Sequence, residues 1–267
     1  MIAQLRSEWM RGRGRPVEKY TGAVVIALGV VVPAVMLLAS SRNALMRKSA
    51  LETLAFPASV RAAQTMATIM GPFWAAALGA NIIGAEFQYS TWPLLLVRSA
   101  SRERLALVKI LTAAARIAAL TIVGVLTFVA VGATVRILYG VPVAGQLVAA
   151  RELLIPFIGI GGAMAFAAAI AFTITVVSRS VVFGMLTGAF ALPLFSAIRF
   201  KETAPWIPYV HFENIQSRLL TGRPSRALAQ LYDFSMSGRA SAGVVASELL
   251  VVLAIAFVVF RRQEIVY

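Results

Sequence analysis

No cysteine occurs in this 267-residue chain, and histidine occurs once, at His211. Disulfides, thiolate zinc sites and cysteine nucleophiles are therefore excluded, and so is a multi-histidine metal site. Charge is scarce as well. Only 13% of residues are charged, against about 25% in a soluble domain. Acidic residues are the rarer sign, 11 against 25 basic. The phosphate loop Gly-x-x-x-x-Gly-Lys-Ser/Thr is missing, so no backbone cradle for a nucleotide is expected. The closely spaced Gly159, Gly161 and Gly162 lie in an apolar stretch, where small residues let helices approach. The first 19 residues are polar and basic, and the apolar stretch behind them is long enough to remain in a bilayer, so a cleaved signal peptide is not expected.

What fills the chain is apolar sequence, 60% of all residues. It is arranged in uncharged stretches long enough to cross a ~30 Å hydrocarbon core as helices of about 20 residues. Six such spans are predicted, at about 20–39, 65–83, 117–135, 153–177, 181–198 and 243–260. The fold class is all-α integral membrane, a single membrane domain over residues 1–267. Only Ser178-Arg179-Ser180 separates the fourth and fifth spans, which predicts a tight antiparallel hairpin. Pro33, Pro72, Pro156 and Pro193 are compatible with membrane helices, whose neighbours can satisfy the freed carbonyls.

The formal net charge is +14. These basic residues punctuate the apolar spans instead of coating one face, which points to lipid headgroups and not to nucleic acid. With the N-terminus inside, each side of the membrane carries 12 of them. The inner segments are the shorter, and long loops count weakly, so charge density places both termini in the cytoplasm. The long segment 199–242 is then extracytoplasmic. It contains two helix-like pieces, around 211–220 and from Ser225 to about Tyr232. Its aromatics Trp206, Tyr209, Phe212, Tyr232 and Phe234 suit headgroup depth.

The segment after the second span reads Gly84-Ala-Glu-Phe-Gln-Tyr-Ser-Thr-Trp-Pro-Leu-Leu-Leu-Val-Arg-Ser-Ala-Ser-Arg-Glu-Arg, with Lys109 beyond it. It resembles the loop after the second span in permease subunits of type-2 ABC transporters. The matching positions are Gly84, Glu86, Phe87, Ser90-Thr91, Leu94 to Leu96, Ser101-Arg102 and Lys109. Departures are Ser90 where glycine is common, and Arg98-Ser99-Ala100 where a proline is often found. The tail Phe260-Arg261-Arg262-Gln263-Glu264-Ile265 is similar to the ending common in that family. The start Leu5-Arg6-Ser7-Glu8-Trp9 resembles its amphipathic helix before the first span.

The resemblance implies the non-catalytic permease subunit of an ATP-driven exporter in a bacterial cell membrane. Two such subunits, identical or related, would work with two copies of a separate ABC ATPase. The chain itself would hold no cofactor, and ATP and magnesium would belong to the ATPase. The segment after span two is the expected coupling site, with a short cytoplasmic helix continuous with span three. Its candidate residues are Glu86, Arg98, Ser101, Arg102, Arg104 and Lys109, the basic ones setting register on an acidic groove. Glu86 is expected to pair with a basic residue of that segment. A basic segment held only by anionic headgroups is the competing reading.

Phe73, Trp74 and Asn81 of span two are candidates to line a substrate pathway by location, with packing as the alternative. Glu248 lies about 5 Å from the middle of span six at ~1.5 Å per residue. A carboxylate at that depth is costly and normally faces the bundle interior. Arg116, about one turn inside span three, is expected to snorkel toward headgroups. Two other functions compete: a secondary transporter or channel, and an immunity protein that sequesters without transport. Several ionisable residues at depth, or two matching broken helices, would favour a secondary transporter; the spans offer essentially Glu248 alone.

Overall fold

The computed structural model describes residues 2–13, 16–56, 58–89, 91, 101–141, 150–197, 206–224 and 236–262. Among these residues all regular structure is helical. The elements are α1 (Ile2–Arg13), α2 (Pro16–Ser40), α3 (Ala44–Leu54), α4 (Ala58–Gln88) and α5 (Arg102–Tyr139), then α6 (Ala150–Ser178), α7 (Val181–Ala197), α8 (Pro208–Thr221) and α9 (Gly238–Arg262).

Five of these helices are long and apolar enough to cross a membrane: α2, α4, α5, α6 and α9. The remaining expected span, 181–198, is α7, apolar but only 17 residues long, and it runs back along α6. Two spans extend well beyond their expected limits. The 65–83 span is the middle of the 31-residue α4, and the 117–135 span is the middle of the 38-residue α5. At ~1.5 Å per residue α5 is about 57 Å long, roughly twice the hydrocarbon thickness. Its charged first turns therefore stand outside the core. Ser101 starts it as N-cap, its hydroxyl accepting from the Arg104 amide at 3.2 Å, and Gly140 ends it in the left-handed conformation. The expected coupling helix is thus the first two turns of α5 itself.

Contacts define two ends of the bundle. At one end lie α1, the C-termini of α4, α6 and α9, and the N-termini of α5 and α7. Glu103 at the start of α5 faces Arg261 at the end of α9 there, at 3.7 Å across an exposed contact. At the other end, Leu54 of α3 and its C-cap Ala55 pack against Val135 near the end of α5, and α8 seats on α6 and α9.

The interior is built on small residues, because lipid tails leave little hydrophobic drive between helices and close van der Waals packing must hold them. Ala76 and Ala80 of α4, Ala171 of α6 and Ala189 of α7 form one fully packed seam. A Cβ on Gly79 would come 2.5 Å from the Ala168 carbonyl, and one on Gly188 would come 2.6 Å from the Ala167 carbonyl. Arg179, with φ 57°, makes the left-handed turn of the α6–α7 hairpin, and its amide donates to the Thr175 carbonyl at 2.8 Å. The outer faces of α2, α5 and α9 expose Val31, Leu38, Ile122, Leu126, Leu250 and Val251. These are side chains suited to lipid.

Candidate functional site

Four charged residues from three helices meet in the interior at the α1 end. Lys109, in the third turn of α5, is completely buried. Its Nζ lies 3.0 Å from Glu86 Oε1 of α4 and 3.3 Å from Glu8 Oε2 of α1, and it donates to the Ile82 carbonyl at 3.1 Å. All of these are acceptors, as the donor-only ammonium group requires. The Thr91 hydroxyl donates to Glu86 Oε2, and the Thr91 amide donates to the Glu86 carbonyl at 3.1 Å. Glu86 therefore joins the last turn of α4, the chain just beyond it and the base of α5.

Arg116, two turns further along α5, completes the cluster. Its guanidinium donates to the Glu8 carbonyl at 2.7 Å and lies 5.9 Å over the Trp9 ring, within cation–π range. Two carboxylates and two cations are thus gathered with balanced charge. Surface ion pairs contribute about 0–1 kcal/mol. Removing one partner of a buried pair costs about 3–5 kcal/mol, because the other charge is left uncompensated. The cluster is therefore a stiff link: α1 cannot move far from α5, nor the end of α4 from either, without stranding a charge. Lys109 lies eight residues before Ile117, ~12 Å along the helix, near the boundary of the uncharged stretch.

The sequence-derived candidates separate on this framework. Glu86 does pair with a basic residue of the following segment, and that residue is Lys109. Lys109 itself faces inward. It cannot set register on a partner's groove as expected, because α1 and α4 cover it completely. Arg116 does not snorkel; it is buried against α1. Ser101 is exposed as the cap of α5, Arg104 is exposed one turn on, and Arg102 begins the helix. Arg98 lies outside the described residues.

The four pathway candidates do not meet. Phe73 lines a cavity between α4, α6 and α8, and Trp74 lines a separate one with Leu28 of α2 and Met164 of α6. Asn81 is buried in the interior of α4 and lines neither cavity. Glu248 is half-buried on α9, with Oε2 shielded and lacking a hydrogen-bond partner among the described residues. In the segment before α9, the first expected helical piece is α8 and the second lies outside the described residues. Phe212 is buried against Gly162, whereas Trp206 is exposed.

Glu8 was not legible as a site residue. Its only sequence signal is that it stands in a polar amphipathic helix, on the face shared with Leu5. No group of acidic and histidine side chains suited to a metal ion occurs among the described residues. What the charged cluster can do is mechanical: it joins an outlying helix and a loop to the foot of a helix that runs the full depth of the bundle.

The chain is a multi-pass α-helical membrane protein. Residues 18–194, well over half the chain, match the family model described as ABC-2 family transporter protein, and the chain belongs to that family as an ABC-type transport permease. No curated protein matches the chain in sequence.

Proposed function

We propose that this chain is the membrane subunit of an ATP-driven exporter, working as a pair of permease subunits with two separate ABC ATPase subunits. ATP and magnesium belong to the ATPase. The chain crosses a cell membrane six times, with α7 as the fifth crossing and both termini in the cytoplasm. The α1 end of the bundle then faces the ATPase.

The buried Glu8–Lys109–Glu86 cluster carries this reading. An ATPase can drive a bundle only through an element whose displacement is transmitted without slack. Force applied to the segment between α4 and α5 reaches the foot of α5 through Glu86 and Lys109, and α5 is one uninterrupted helix to the opposite end. In this mechanism Arg104 and Arg102 meet the ATPase, while Lys109 transmits. The family match and the apolar helices support the permease class.

The test is co-expression with candidate ATPases, ideally one from a neighbouring reading frame, followed by purification into lipid discs. The purified chain alone should hydrolyse no ATP, and the ATPase should co-elute with it. Arg102→Glu combined with Arg104→Glu should preserve insertion and expression but release the ATPase or abolish cargo-stimulated hydrolysis. Two reversals are needed because one exposed pair contributes only about 0.2–1 kcal/mol. Wild-type assembly and stimulation in that double variant would leave the segment as a lipid-facing basic loop. Transport without any ATPase would favour a secondary transporter.

A further inference from the structure

The amphipathic helix α8 forms one wall of an open-sided chamber at the end of the bundle opposite the charged cluster. Its sequence sets the placement. Pro208 sits in its first turn, and Gly222, at φ 72°, ends it. Val210, His211 and Asn214 point inward and are fully buried. The Asn214 amide donates to Ser241 Oγ at 2.7 Å and to the Met236 carbonyl at 3.0 Å, which anchors α8 to the start of α9. Phe212 fits over Gly162 of α6, where a Cβ would come 2.5 Å from its ring.

With α8 fixed in this way, Tyr209, Glu213 and Gln216 fall on one side of it and face a cavity of about 340 Å³. The far walls are apolar: Pro72 and Phe73 from α4, Ile160 and Ala163 from α6. Phe73 is steadied by Phe190 of α7 in an edge-to-face contact, centroids 5.6 Å apart at 85°. Gly159 leaves room for the Gln216 amide, whose Oε1 would be 3.1 Å from a Cβ there. Neither Glu213 nor Gln216 makes a hydrogen bond or ion pair among the described residues. The cation nearest in sequence on α8, Arg218, is committed to Asn214 Oδ1 at 3.2 Å.

We propose that this chamber binds an amphipathic monocation, an ammonium-type head at Glu213 with its apolar body against Phe73 and Ile160. Each part of the lining has a role in that recognition. The half-buried carboxylate excludes anions and pairs with one positive charge. Aromatic faces attract a cation at about 0.5–2 kcal/mol each. The apolar floor accepts hydrocarbon that would otherwise sit in lipid. A neutral apolar molecule would leave Glu213 and Gln216 covered and unpaired, which costs binding energy. The head could be that of a free amphipathic cation or the ammonium of a phospholipid; the chemistry at Glu213 is the same.

The site requires no ATPase, so its test is independent of the coupling mechanism. The purified chain is placed in phosphatidylglycerol discs, and saturable binding of radiolabelled tetraphenylphosphonium is measured over empty discs. Tetraphenylborate, of the same shape and opposite charge, is the comparison. Phosphonium should bind saturably and borate should not. Glu213→Gln and Phe73→Ala should each weaken phosphonium binding about tenfold, the loss expected for a charge-assisted contact or a buried aromatic wall. Gln216→Leu, which keeps the charge, should weaken it less. Unchanged melting temperatures show that the variants fold. Displacement by phosphatidylethanolamine in the discs identifies a lipid headgroup as the occupant; its absence identifies a free cation. Equal binding of the two ions, no saturable binding, or indifference to both Glu213→Gln and Phe73→Ala would overturn the proposal.

Discussion

Lys109 of α5 lies 3.0 Å from Glu86 of α4, and neither side chain is more than 6% exposed. Twenty-three positions separate them in the chain, with the whole segment after the second membrane helix between. The pair closes that segment into a loop with a charged clasp, and Glu8 of α1 adds a second carboxylate at 3.3 Å.

The clasp predicts a specific pattern of stability. Lys109→Met should destabilise the protein by about 3–5 kcal/mol, since Glu86 and Glu8 would both lose the buried ammonium they share. Glu86→Gln alone should cost less, because Glu8 still balances the lysine. Lys109→Met with Glu86→Gln should cost clearly less than the sum of the two. Thermal unfolding of the four proteins in one detergent measures the coupling, and strict additivity would show that the pair is not energetically linked.

Helix α1 is held to the bundle through Glu8 and Trp9, so their loss should free it without unfolding the spans. Glu8→Ala with Trp9→Ala is expected to raise amide exchange across 2–13 by at least tenfold while exchange in α4 and α6 stays as in the parent protein. Hydrogen exchange with mass detection reads this directly. Equal protection of α1 in both proteins would mean that other contacts hold it.

The α6–α7 hairpin depends on the absence of a side chain at Gly188. Gly188→Leu should destabilise by about 1–3 kcal/mol or more, because a Cβ there already meets the Ala167 carbonyl and the Ala171 methyl at 2.6 Å. Gly161→Ala is the contrast. Nothing lies within 4 Å of a Cβ at that position, so alanine should be tolerated, or stabilise by about 0.5–1 kcal/mol through its better helix propensity. Melting temperatures in detergent decide both.

Sidedness follows from the two ends of the bundle. The chain has no native cysteine, so single cysteines report cleanly. Ser101→Cys stands at the α1 end and Ser41→Cys at the other, both exposed. In intact cells Ser41→Cys should react with a membrane-impermeant maleimide, and Ser101→Cys only with a permeant one. The reverse result would turn the coupling segment outward and remove the proposed mechanism.

Composition and charge spacing alone determined that this is an all-α membrane protein with a tight hairpin at 178–180. Uncharged runs of about 20 residues have one stable answer in hydrocarbon, a helix with its backbone bonds internally satisfied. Within the motif from Gly84 to Lys109, Glu86 was correctly expected to find a basic partner. The sequence could not say which way Lys109 and Arg116 point. A lysine at the mouth of a span snorkels if its face meets lipid and pairs if that face meets another helix, and the choice belongs to helix rotation and neighbours. It was decided by α1, a polar helix whose Glu8 stands 101 positions from Lys109 and 108 from Arg116, folding back to supply that carboxylate and the Trp9 ring. The helical start of α5, continuous with the span, was expected from the sequence, but what holds it was not: Leu105 and Ala106 are buried against Ile83 of α4, Phe172 of α6 and Phe260 of α9. Only the tertiary structure, too, could bring Glu213 of α8 and Phe73 of α4 to one cavity, since each alone reads as an ordinary residue of an amphipathic or apolar helix.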